Sequence, residues 1–145
     1  MNVLQIRPRE HIIEIDNWQE YRRDGEQFLH TALSAAKSQN RRFTPDTLYN
    51  LVAMAIEKLI MAFLMRRGDL ADNHTMRDLL QALERHIAVA PELAGQFAYL
   101  DAFQDICALD TYSLRTPTPA DIERITAIGI DVLELMSPHL AEPAH

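Results

Sequence analysis

Residues 45–68 read PDTLYNLVAMAIEKLIMAFLMRRG, and the fold turns on how this stretch has to be buried. Thr44 before it is a good helix N-cap, and Pro45 stands at the first helical position, where its missing N–H costs nothing. From Leu48 to Met65 the apolar residues fall on nearly every side of a helix rather than along one stripe. A helix of that kind belongs at the centre, covered by several neighbours or by a second subunit. Gly68 is a natural C-terminal stop, and Arg66 and Arg67 complement the negative end of the helix dipole. Glu57 and Lys58 interrupt the run, so each must reach solvent, snorkel or find a partner in a groove.

The flanking sequence supplies the cover. Asp16 and Gln19 have capping-box spacing, and Trp18, Tyr21, Phe28, Leu29, Ala32 and Leu33 then recur at three- and four-residue steps toward Asn40. A third helix is expected from near Asn73, with Met76, Leu79, Leu80, Leu83 and Ile87 on one side. The pattern from Pro91 through Phe97, Leu100 and Phe103 to Leu109 predicts a fourth. Thr118 and Asp121 form another capping box, with Pro119 at the first position and Pro138 expected to end the helix. Five helices with short connections predict an all-α antiparallel bundle. The expected organisation is an arm over residues 1–15, one helical domain over 16–137, and a frayed tail over 138–145.

The chain of 145 residues carries a net charge of −7, unevenly spread. Residues 1–77 hold eleven basic and ten acidic side chains, and residues 78–145 hold three and eleven. Any anion-binding surface is therefore expected in the first half, and nonspecific coating of nucleic acid is disfavoured. The acidic second half is a solubilising face or a dock for a basic partner. Glu57 and Lys58 break the longest apolar run, so no membrane span is expected, and the N-terminus lacks the pattern of a signal peptide. With a lone cysteine, Cys107, in an apolar pattern, a cytoplasmic setting is expected.

Spacing excludes several chemistries. There is no cysteine pair for zinc, no His-Glu-x-x-His and no glycine-rich phosphate loop, so no metal or cofactor is expected. Glu26 with His30, and His74 with Asp78, are each only two ligands on one helix face. The remaining chemistry is a histidine near arginines in the stretch RRGDLADNH, residues 66–74. A neutral imidazole can take a proton from a hydroxyl or return one to a leaving oxygen. A guanidinium can hold the phosphate. The same pairing serves plain phosphate binding, with Lys58, Arg66, Arg77 and Arg115 as further candidate contacts.

Residues 48–83 resemble the core of a HEPN domain (higher eukaryotes and prokaryotes nucleotide-binding). The likeness lies in AIEKLIMAFL, the polar loop after it, and the helix start carrying His74, Met76, Leu79, Leu80 and Leu83. Tyr112, Arg115 and Pro117 are similar to the family's Tyr…Arg-Tyr-Pro segment, with Thr116 where that segment has an aromatic. The resemblance implies a helical bundle, commonly a homodimer. In some members it implies a metal-independent endoribonuclease paired with a nucleotidyltransferase or another antitoxin, as in toxin–antitoxin systems. The family's ribonucleases place four to six residues between an arginine and a histidine. Arg67 and His74 have six, and Gly68 stands where a polar residue usually follows the arginine. The leading expectation is a noncatalytic protein binding a nucleotide or RNA phosphate. The alternatives are an endoribonuclease using His74 and Arg67, and a structural interaction module.

Overall fold

A computed structural model describes residues 15–39, 42–104 and 116–141. Among them are five helices and no strand: α1 Trp18–Ser38, α2 Pro45–Arg66, α3 Met76–Glu84, α4 Pro91–Asp101 and α5 Pro119–Leu140. The all-α bundle expected from the sequence is the architecture observed. Ile106, Cys107, Leu109, Tyr112 and Arg115 lie outside the described residues, as does nearly all of the expected N-terminal arm.

α2 is the core helix. Thirteen of its 22 residues are buried, and Val52, Ala55, Ile56, Leu59, Ile60, Ala62 and Leu64 have no exposed surface. By length and mean hydropathy it is apolar enough to cross a membrane, contrary to the expectation drawn from the interruption at Glu57 and Lys58. Most of it is instead covered by α1, α5 and α3. α1 runs antiparallel to α2, and α5 runs alongside α2 in the same direction, because α4 brings the chain back to the start of α2, where Leu100 accepts from Tyr49. Accordingly Arg66 at the end of α2 meets His139 and Ala141 at the end of α5. Arg22 near the start of α1 meets Leu140.

Two glycines set how closely these helices approach. A Cβ on Gly25 of α1 would lie 2.9 Å from Leu59 Cγ, and one on Gly129 of α5 would lie 2.7 Å from Leu29 Cδ1 and 3.0 Å from Val52 Cγ1. Tyr49 is buried against α4, where its hydroxyl donates to the Leu100 carbonyl at 2.7 Å. Burial, then the nearby Asp101 charge, pushes that hydroxyl's pKa far above the ordinary phenol range.

Three helix ends differ from expectation. α1 begins at Trp18 behind Asn17, which has φ 77° and makes no side-chain cap bond, so the Asp16 capping box does not form. α3 begins at Met76 rather than near Asn73. Thr75 Oγ1 accepts from Asp78 N, and the Asp101 carboxylate accepts from Met76 N at 2.9 Å and Arg77 N at 3.0 Å. Those bonds place the cap two residues later. α5 continues through Pro138 to Leu140. Proline there removes one hydrogen bond near the helix end, while Arg22 and Arg66 hold the terminal carbonyls of His139, Leu140 and Ala141.

The close approach at Gly129 predicts that Gly129→Val destabilises the fold by about 2 kcal/mol through overpacking. Gly95→Ala, where an added Cβ meets nothing within 4 Å, should stabilise it by about 0.5–1 kcal/mol. Urea unfolding followed by circular dichroism measures both.

Candidate functional site

The loop from Arg67 to Thr75 closes α2 and opens α3. Gly68, with φ 70°, makes the reversal that a side chain would resist. Asp69 N reaches back to Leu64 O at 2.8 Å, and Asp69 Oδ1 accepts from Leu70 N. Asp69 Oδ2 accepts from Arg85 Nη2 at 3.0 Å and Nε at 3.2 Å, and lies 2.8 Å from His86 Nε2. Burial pushes the Asp69 carboxyl up, but the hydrogen bonds from His86 and Arg85 outweigh it and hold the group below the usual carboxylate range. His86 is half-buried and edge-on to the Phe63 ring.

His74 lies outside α3, just before the Thr75 cap. Its Nδ1 is 2.6 Å from Glu57 Oε1, and its side chain is 59% exposed. With the proton on Nδ1, Glu57 fixes the ring and leaves Nε2 without a partner among the described residues. Glu57, a charge inside an apolar helix, thus reaches the rim of α2 and orients an imidazole.

Arg67 belongs to a different place. Its guanidinium lies 4.8 Å from the centre of the Phe63 ring. Glu57 and Phe63 are six residues apart on α2, hence about 9 Å along the axis and about 120° around it. His74 and Arg67 are each tied to one of those residues, so the loop does not bring the two together on one face. No hydrogen bond or ion pair joins them.

The other candidates divide. Arg66 donates to the carbonyls of His139 and Ala141 and stacks 4.5 Å from the Trp18 ring, which makes it a tether for α5. Lys58 sits 4.2 Å over the Tyr21 ring of α1. Arg77 is exposed, with its backbone N–H held by Asp101 and no carboxylate on its side chain among the described residues. Asp101 also occupies the start of α3, so this helix N-terminus already holds an anion of its own. Arg115 lies outside the described residues. No group of three or more metal-ligating side chains occurs among the described residues.

Sequence reasoning missed Asp69 with Arg85 and His86, and Asp101 at α3. Both link positions sixteen or more residues apart, and no local pattern marks them.

No family model and no curated protein matches the chain. Among solved structures, the crystal structure of TT1696 from Thermus thermophilus is similar, with a TM-score of 0.68 at 16% identity. The match covers 87% of this chain and all of that one. At that identity the likeness is one of fold: both are helical bundles.

The Asp69 cluster has a pH signature. A carboxyl whose folded pKa is depressed contributes stability that is present above its unfolded value and lost as the pH falls through the folded one. Wild-type stability should therefore drop below about pH 4, and Asp69→Asn should flatten that part of the profile. Urea midpoints at pH 7 and pH 3 for both proteins check this.

Proposed function

We propose that this chain is a HEPN-like, noncatalytic module that binds phosphates of a nucleotide or of RNA at two separate points, Arg67 at one and Arg77 with His74, at the start of α3, at the other. One observation carries the reading. Arg67 and Arg77, on either side of the 67–75 loop, have no carboxylate partner among the described residues, whereas Arg22, Arg66, Arg85 and Arg124 are engaged within the fold. A guanidinium left in this way has its hydrogen-bond donors available for a phosphate. Arg66 is left out of the contact set because its hydrogen bonds already go to α5.

A second reading is favoured by the His74–Glu57 pair. An imidazole held at Nδ1 by a carboxylate, with Nε2 open, has the form of an oriented general acid–base. On that reading the protein is a metal-independent endoribonuclease. The separation of Arg67 from His74 argues for binding ahead of cleavage within one chain.

We also propose a homodimer through the outer edge of α1 and α2. Met54 is 42% exposed, beside half-buried Leu51 on the same face of α2, with half-buried Tyr21 under Lys58 across the seam. Covering such a rim is a natural use for a helix apolar nearly all round. Met54→Glu should convert a dimer to a monomer in light scattering, and an unchanged mass would remove this interface.

The test of function uses fluorescein-labelled single-stranded RNA and a fluorescent ATP analogue, both in EDTA. Wild type should bind at least one of them, and Arg67→Ala and Arg77→Ala should each weaken binding by about five- to tenfold. Absence of binding, or binding unaffected by both changes, overturns the phosphate reading. RNA cut by wild type but not by His74→Ala establishes the ribonuclease in its place.

A further inference from the structure

Glu57 interrupts an apolar helix, and its carboxylate is turned on an imidazole. Oε1 lies 2.6 Å from His74 Nδ1, with the Glu57 side chain 33% exposed and the ring 59% exposed. A carboxylate only accepts, so in a neutral ring the shared proton sits on Nδ1 and the lone pair on Nε2. The same hydrogen bond makes the ring more basic, as it does for histidines that ligate metals. The other carboxylates at the start of α3 are occupied elsewhere. Asp78 accepts from Thr75 Oγ1, and Asp101 from the backbone of Met76 and Arg77. Asp72 and Arg77, both exposed, flank His74 in sequence with opposite charges. His30 is a contrast within the same molecule: it is exposed on α1 with no hydrogen bond or ion pair among the described residues.

We propose that His74 Nε2 is a nucleophile that accepts a phosphoryl group from an acyl phosphate, the mixed anhydride of a carboxylic acid and phosphoric acid. The Nε2 lone pair attacks phosphorus and the N–P bond forms. The bond from phosphorus to the acyl oxygen breaks, and its electron pair leaves with the carboxylate. The Nδ1 proton stays in the hydrogen bond to Glu57, whose negative charge balances the imidazolium that results. Glu57 is therefore a positioning residue. The donor class follows from the exposure of the ring. A nucleoside triphosphate has to be cradled and its charge neutralised before its phosphoryl group moves, and the sequence has no glycine-rich phosphate loop. An acyl phosphate brings its own good leaving group, so an oriented nucleophile in the open suffices. The inference goes beyond the binding and ribonuclease readings, since it needs the Glu57–His74 contact but neither Arg67 nor RNA.

The test incubates the full chain with acetyl phosphate and digests it under mildly alkaline conditions, which preserve phosphohistidine, before mass spectrometry reads the label at each histidine. His74 should be labelled about tenfold faster than His30, and Glu57→Gln should slow His74 by about tenfold. Phosphorus NMR should place the group on Nε2. Nitrogen NMR of the unlabelled protein should show the proton of neutral His74 on Nδ1, a preference that Glu57→Gln loses. The comparison of His74 with His30 needs no variant, so the proposal stays testable should Glu57→Gln fail to fold. No label at His74, labelling no faster than at His30, a label on Nδ1, or a rate unchanged in folded Glu57→Gln each overturns it. Labelling is read without RNA or nucleotide, so its failure leaves the binding result standing, and the reverse holds too.

Discussion

Every other element answers to the burial of α2. A helix apolar on most of its circumference cannot lie on a surface, so α1, α5 and α3 must close around it, and small residues decide how near they come. Gly25 and Gly129 stand where the side chains of Leu59, Leu29 and Val52 leave no room for a Cβ. The ends of the bundle are then fixed by polar contacts rather than by further packing. Arg66 and Arg22 hold the end of α5, and Asp101 holds the start of α3. Hydrophobic burial selects the arrangement, and these few hydrogen bonds fix where each helix stops.

The balance of charge follows the same division. Of the arginines on the first half of the chain, Arg22 and Arg66 serve the fold, while Arg67 and Arg77 keep their guanidiniums clear of carboxylates among the described residues. Lys58 is intermediate, its ammonium resting on an aromatic face that attracts it without neutralising it. Glu57 is turned toward His74 instead of an arginine. The polar rim of α2 therefore carries an oriented imidazole in one place and a guanidinium over an aromatic ring in another.

The helices are legible in the sequence because their signals are local. The nearly all-round apolar run of α2, the proline at its start and the capping box at Thr118 need only neighbouring residues, and each appears where the sequence puts it. Helix starts set by distant partners are not legible. Asp101 takes the first N–H groups of α3 and shifts its beginning past His74, and no rule on residues 73–78 alone anticipates it. The Arg67–His74 spacing shows the same limit. Counting residues across a loop measures chain length, whereas the side chains are aimed by Phe63 and Glu57 on different sides of α2. The shelter of His86 and His139 is not legible for the same reason, because the Phe63 ring beside them is remote in sequence.

The Asp101 carboxylate has a consequence for how the molecule moves. It sits at the end of α4 and holds the start of α3, joining the two short helices at one corner. They pack on each other and, less extensively, on α2 and α5, while the long helices α1, α2 and α5 pack on one another. Amide exchange should then divide the chain by architecture, with α3 and α4 opening as one unit and the three long helices protected to the limit of global unfolding. The loop carrying His74 leads directly into the first of those two short helices, and so belongs to the part of the molecule that opens first.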